Sequence, residues 1–181
     1  DGALVSSAQQ NRTEISEIRK AMELEGYAPD QIDAKAEIHH VVRGAVSPDG
    51  LSWTLLEEPL LDVGKTLLDT QNIAAYDEDT GQYLAFLRDN VERRRSLRRT
   101  GGSEFGHWDD TRIVLTSDPQ DPPHVDFYNS SYCRCPSSGR HLMFVSIFDR
   151  PAATLDIHLA TSRDGWNWSR PERRPIVDLK T

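Results

Sequence analysis

Two short stretches place a carboxylate and an amide at the same spacing. Asp69 and Asn72 occupy a D-x-x-N sequence, and Asp126 and Asn129 repeat it 57 residues later. Each begins a stretch whose alternating, β-branched and aromatic character predicts a strand. Carboxylates at equivalent starts of neighbouring strands converge on a common axis, and grouped acids suit acid–base chemistry. One is kept protonated to assist a leaving oxygen while another, ionised, activates water or attacks. The competing structural reading is that Asp at a strand start bonds nearby backbone N–H groups and shapes a turn, with Asn three residues on doing the same. Around them, Tyr128 shares the face of Asp126 by period two and could stack on a ring-shaped ligand. Gln71, Arg88 at the end of a second strand, and His124 just before "VDFYN" complete the candidate ligand contacts.

The elements that must position these groups recur. Three tryptophan-anchored copies are present, "SPDGLSWTLLEEPLLD" at 47–62, "GSEFGHWDDTRIVLTSD" at 102–118 and "SRDGWNWSRPERRPIVD" at 162–178. Trp53, Trp108 and Trp168 lie 55 and 60 residues apart, and Asp49, Glu104 and Asp164 each precede their Trp by four. These acids read as turn formers, whereas Trp166 has no counterpart and no assigned role. Between anchors the order is constant: strands at 71–76, 82–88 and about 94–100 lead into Trp108, and strands at 126–133, 140–148 and 154–162 lead into Trp168. A four-stranded antiparallel meander repeating at such a period predicts β-propeller blades. The expected organisation is an N-terminal helical or irregular segment over 1–35 and a partial propeller over 36–181. The latter divides into a blade end at 36–62, a blade at 63–118 and a blade at 119–178. A ring needs at least about four blades, so the remaining blades are expected partners. In the N-terminal segment, Asn11 is a possible cap, Ile15, Ile18 and Met22 share a face, and Gly26 stops one amphipathic helix.

Composition narrows the classes. The chain has 181 residues, a net charge of -8 and 37% apolar residues against 28% charged. The negative charge argues against general affinity for nucleic acid or an anionic membrane surface. No apolar run of about 18 residues is present to span a bilayer. The first residues lack a Met and the basic-then-apolar order of a secretion signal, so the start reads as mature or truncated. Cys133 and Cys135 form a C-x-C pair, which alone does not supply the roughly four ligands of closed zinc. They read as free, half-buried thiols on one face of a strand. "VERRRSLRRTGG" at 91–102 holds five arginines on a strand whose alternation sends them to both faces, expected as ion pairs with acids of neighbouring blades. His39 and His40 are adjacent and point apart, while His107, His124, His141 and His158 are scattered, with loop or strand-surface roles expected for most.

The ordered stretches "SPDGLSW", "DTQNIAAYDEDTGQYLAFLR", "RRRSLRRTGGSEFGHW" and "VDFYN" resemble the five-bladed propeller superfamily of glycoside hydrolase families 43 and 32 over residues 36–181. The resemblance implies an all-β, five-bladed propeller of which two whole blades and part of a third are present. It also implies an O-glycosyl hydrolase acting on a poly- or oligosaccharide. Three acids from different blades share the work in that family: an Asp base, an Asp that orients and tunes, and a Glu acid. Asp69 and Asp126 match the location of two; a Glu on the next inner strand falls near position 183 by the same step, past the last residue. No cofactor is implied, although a channel-bound cation such as calcium fits such acids, and the resemblance favours a secreted or periplasmic setting. The motifs W-x-N-D-P-N-G and E-C of fructan-cleaving members are absent. The turns also resemble the Asp box of sialidase-like propellers, one residue shorter here. A non-catalytic carbohydrate- or protein-binding propeller and a sialidase-like propeller stand as alternatives. Linkage and stereochemical course stay open, since they depend on carboxylate separation.

Overall fold

The computed structural model describes residues 16, 19–20, 22–31, 40–63, 68, 71–109 and 111–178. The chain divides into two compact units, residues 1–66 and 67–181. Ten strands are formed among the described residues, in three antiparallel sheets: β1 (Val41–Val46) with β2 (Thr54–Asp62), β3 to β6, and β7 to β10. The all-β class expected from the repeat is the observed one. The sheets are open, and the described residues do not close a ring.

In the first unit, the helical residues 22–24 end at Gly26, whose φ of +83° only glycine adopts at little cost. Gly26 N donates to Glu23 O and Tyr27 N to Met22 O, both at 3.1 Å, which is the Schellman closure of a helix C-terminus. The expected stop at Gly26 is therefore formed; Asn11, Ile15 and Ile18 lie outside the described residues. β1 and β2 form a hairpin around the first tryptophan turn.

The second unit holds both meanders. The first runs β3 (Ile73–Asp77), β4 (Gln82–Val91), β5 (Arg94–Gly102) and β6 (Arg112–Leu115), each strand paired with the next in sequence. The second runs β7 (Val125–Arg134), β8 (His141–Asp149), β9 (Thr154–Ser162) and β10 (Trp168–Ser169) in the same way. Alternation turns one apolar set from each sheet toward the other. Leu84, Phe86 and Leu97 of the first sheet and Phe127, Met143, Val145 and Ala160 of the second share one buried cluster, joined by Leu115. Phe86 is 1% exposed and Phe127 fully buried. A truncation of either to Ala would cost about 3–5 kcal/mol, as cavities in such cores do.

The tryptophan turns connect the third strand of a meander to its fourth. In "SRDGWNW", Ser162 Oγ donates to Asp164 Oδ1 at 3.0 Å and accepts from Gly165 N at 2.9 Å. Asp164 Oδ1 accepts from Trp166 N and Asn167 N at 2.8 and 2.7 Å. In "SPDGLSW", Ser47, Asp49, Gly50, Leu51 and Ser52 make the same bonds at 3.0, 2.8, 2.8 and 2.8 Å. These bonds hold Asp49 ionised down to a pKa of about 2 and push Asp164 lower still; the backbone N–H donors of Ser52 and Asn167 are the largest influences. Gly50 and Gly165 take φ of +73° and +70°. Trp108 and Trp168 each donate Nε1 to the carbonyl three residues back, Phe105 at 2.8 Å and Gly165 at 2.9 Å. Trp168 also meets Phe86 of the other sheet edge-on at 5.8 Å. Trp166, without a role in sequence terms, lies against the first sheet as well, under the guanidinium groups of Arg99 (3.6 Å) and Arg112 (4.5 Å).

Three expectations change on contact with the structure. Cys133 and Cys135 are free, but β7 ends at Arg134, so Cys135 sits in the following turn and shares no strand face with exposed Cys133. His141 and His158 are buried within strands, at 3% and 9% exposure, because their positions in β8 and β9 alternate inward. The arginine run is divided among partners: Arg95 reaches an acid of the other sheet, Arg98 pairs with Asp89 of its own sheet, and Arg99 stacks on Trp166.

Candidate functional site

The site is built where β7 begins and where the β4–β5 and β8–β9 hairpins turn. The β4–β5 link is two residues long, and Glu92 and Arg93 adopt φ of +50° and +65°. That left-handed pair matches the twist of the strands it joins, at a conformational cost because neither residue is glycine. It delivers Arg94 and Arg95 to the first positions of β5. Arg150 and Ala153, the latter at φ +53°, belong to the β8–β9 turn, where Asp149 Oδ1 accepts from Ala152 N at 3.1 Å.

Asp126 lies between these turns and is fully buried. Its Oδ1 accepts from Arg95 N at 3.0 Å and Arg150 Nη2 at 2.7 Å; its Oδ2 accepts from Arg95 Nη1 at 2.7 Å and Arg150 Nε at 2.8 Å. Arg150 Nη2 also donates to Arg93 O at 2.7 Å, across 57 residues of sequence. Burial on its own would raise the Asp126 carboxyl pKa. The hydrogen bonds from Arg150 and Arg95 outweigh it and hold the group below the ordinary carboxylate value. Asp126 is therefore an anion at neutral pH, with two bonds on each oxygen. That arrangement suits fixing and orienting neighbouring groups, and it does not suit donating a proton.

The other candidates are placed as follows. Asp69 lies outside the described residues. Gln71 and Asn72 are exposed just before β3; Asn72 Oδ1 accepts from Arg88 N at 3.2 Å and its Nδ2 donates to Leu68 O at 3.4 Å. Arg88 is only 4% exposed and sits 5.2 Å from the centre of the Tyr128 ring; Arg95 sits 5.0 Å from it. His124 Nε2 faces Asp149 Oδ2 at 3.2 Å, beside the Arg150 turn. Asn129 is half-buried opposite Ser146. The period-two link between Asp126 and Tyr128 does not carry through, because β7 slips register between Phe127 and Asn129 and Tyr128 is the extra residue of that bulge. Its half-buried ring is brought back to the arginines by the bulge rather than by alternation, and meets Phe148 edge-on at 5.5 Å. Arg88, Arg95, Asp126, Tyr128 and Arg150 thus come together, with Asn72 bonded to the Arg88 backbone.

Arg95 and Arg150 were not among the sequence candidates. Their signal was present: Arg93 and Arg150 are 57 residues apart, the same step that relates Asp69 to Asp126. Among the described residues no three His, Cys, Asp or Glu side chains gather as a metal would need.

At the other end of the inner strands, Arg134 Nη1 pairs with Asp77 and Arg134 Nη2 with Asp79, the latter at 2.8 Å. Tyr132 Oη and His141 Nδ1 are 2.8 Å apart. Burial, with Arg134 adding to it, lowers the His141 pKa and keeps the ring neutral near pH 7. No molecule-sized opening separates these groups from the core, and they read as inter-sheet fastening.

No protein-family model matches the chain, and no curated protein matches it. Among solved structures it is similar to an N-acetylgalactosamine deacetylase from F. plautii in complex with blood group B trisaccharide. The TM-score is 0.53 at 12% identity, over 78% of this chain and 43% of that one. A structure described as a glycoside hydrolase aligns at a TM-score of 0.49 and 11% identity, over 69% of this chain and 40% of that one. The chain spans less than half the length of either. At such identity the likeness concerns the fold: the paired meanders belong to an architecture also found in a much longer protein.

Proposed function

We propose that the chain is part of a propeller of the glycoside-hydrolase kind, and that it engages a poly- or oligosaccharide at the mouth where β7 begins. The observation that carries the reading is the recurrence of D-x-x-N at the starts of successive inner strands, with the second Asp gripped by arginines. A fold likeness to an N-acetylgalactosamine deacetylase solved with a trisaccharide supports a glycan as the ligand class. In this reading Asp126, permanently ionised, fills the orienting and tuning role of the three family acids. Asp69 fills the base role, and Tyr128, Asn72, Asn129, Gln71, Arg88 and His124 supply contacts. The number of blades, five, and the kinship to families 43 and 32 rest on the sequence resemblance, as do a cation such as calcium near the acids and the remaining blades as partners.

A second reading, a non-catalytic glycan binder, is favoured by one specific observation. Both Asp126 oxygens are fully taken by arginine, so this acid meets water or sugar only if an arginine lets go.

The experiment is glycan release and glycan binding by the full-length protein and by Asp69→Asn, Asp126→Asn and Tyr128→Ala. Loss of release in Asp69→Asn with unaltered melting supports hydrolysis. Binding weakened by Tyr128→Ala without release from any substrate supports the binder. Asp126→Asn leaves two guanidinium groups around a neutral amide, so it is expected to destabilise by roughly 2–3 kcal/mol as broken buried pairs do. Neither release nor binding across neutral and acidic glycans overturns both readings.

A further inference from the structure

Resting on the carbohydrate reading above, we propose that the ligand is an acidic glycan, one carrying uronate carboxylates or sulfate esters, and that Arg93 and Arg94 read its negative charge. Three consecutive arginines, Arg93, Arg94 and Arg95, lie at the β4–β5 turn beside Asp126 in a chain whose net charge is -8. Elsewhere in the same unit arginines sit on carboxylates. Arg98 holds Asp89, Arg134 holds Asp77, Arg170 holds Asp121 and Arg173 holds Asp118.

The mouth departs from that pattern. Arg95 and Arg150 share a single carboxylate, Asp126, so the pairing leaves one positive charge in excess. Arg94 donates Nη1 to the Ser117 hydroxyl at 3.0 Å and has no carboxylate partner. The Arg93 side chain is exposed, while its carbonyl is pinned by Arg150 at 2.7 Å. The turn bearing it is a two-residue left-handed link formed by Glu92 and Arg93, which holds the arginine at a fixed place instead of on a long loop. Tyr128 lies below, its ring flanked by Arg88 and Arg95. An aromatic face for a sugar ring with guanidinium groups beside it is the pairing an acidic sugar requires. The ring stacks, and planar N–H donors meet its carboxylate or sulfate oxygens. A neutral sugar would leave that positive charge uncompensated on binding, which costs affinity.

The test is affinity of the full-length protein for matched polymers in about 0.1 M salt. The probes are polygalacturonate, its fully methyl-esterified form, a sulfated galactan with its desulfated counterpart, and polyglutamate as a polyanion without sugar. The variants are Arg93→Ala/Arg94→Ala and Tyr128→Ala, with circular dichroism to verify folding. At least one charged glycan is expected to bind about tenfold tighter than its neutral counterpart. The double arginine variant is expected to lose about that factor, two exposed charge pairs of under 1 kcal/mol each. Tyr128→Ala is expected to weaken the glycan but leave polyglutamate unchanged. Equal or preferential binding of the neutral forms overturns the acidic assignment while leaving the carbohydrate reading standing. Polyglutamate bound as tightly as the charged glycans overturns it as well, in favour of plain polyanion attraction. Binding to none of these polymers overturns this assignment, and binding to no glycan at all also removes the reading beneath it.

Discussion

Arg134 and Asp77 pair with each other across two sheets, and each is the last residue of the inner strand of its meander. They are 57 residues apart, so they occupy one position of the repeat with opposite charge. Arg150 and the Arg93 carbonyl repeat the relationship at the other end of the sheets. Where neighbouring units bring equivalent positions together, identical side chains would set like charge against like, and the two copies must differ there.

Removing Arg134 should therefore cost more than a surface charge does. Asp77 is 5% exposed; burial pushes its pKa up, and the Thr80 hydroxyl and Arg134 together bring it below the ordinary value. A lowered folded pKa contributes stability that is present above the unfolded carboxyl's range and lost as pH falls through the folded value. In Arg134→Ala burial prevails, the Asp77 pKa rises, and the acid-side loss begins at higher pH. Urea unfolding at pH 7 should show roughly 2 kcal/mol of destabilisation, less than the 3–5 of a fully buried pair because Arg134 is partly exposed. Parallel stability curves for both proteins between pH 7 and 4 would contradict the assignment.

The two tryptophan turns offer a controlled comparison. Gly50 and Gly165 have nearly the same left-handed φ, yet a Cβ at Gly50 meets nothing within 4 Å, and one at Gly165 meets the His141 ring at 3.3 Å and Arg99 at 3.7 Å. Gly50→Ala should lose only the conformational term, about 1–2 kcal/mol. Gly165→Ala should lose that and disturb the fastening of Trp166 to Arg99, and so be the more destabilising by about 1 kcal/mol or more. Thermal melts of the two variants decide it; equal losses would mean that the crowding at Gly165 relaxes freely.

Cys135 and Cys133 should separate by reactivity. Hydrogen bonding from Ser137, then Ser138, lowers the Cys135 thiol pKa from 9.0 to about 7, with its Sγ 3.4 Å from Ser137 Oγ. The thiolate is the nucleophile, so alkylation of Cys135 by iodoacetamide should titrate with a midpoint near pH 7 and move upward in Ser137→Ala. Mass spectrometry of peptides quenched across pH 6 to 9 reads both sites; identical profiles for the two cysteines would refute the difference.

The meanders were legible in the sequence because pairing between consecutive strands leaves local marks. Turn residues, alternation and the Trp spacing placed β9 at 154–162 to the residue and the others to within a few. The turn network around Asp164 was legible for the same reason, since all of its partners lie within three residues. The grip on Asp126 was not, because its arginines come from 31 and 24 residues away and side-chain reach between sheets writes no local period. Tyr128 reached the site by a bulge, which cancels the alternation used to place it. Trp166 had no counterpart because its partners, Arg99 and Arg112, are on another sheet.

Sequential pairing also bears on how the molecule is assembled as it is synthesised. Every ladder of the β3–β6 sheet is complete once residue 115 has emerged, and closing hairpins of two to a few residues costs little chain entropy. Its buried face is not complete. Leu84, Phe86 and Leu97 wait for Phe127 and Met143, and Arg95 waits for Asp126. The nascent chain therefore passes through an interval in which one finished sheet carries an uncovered apolar face and uncompensated arginines. Arrival of β7 ends both exposures in a single step, which makes residues 125–134 the segment on which escape from aggregation depends.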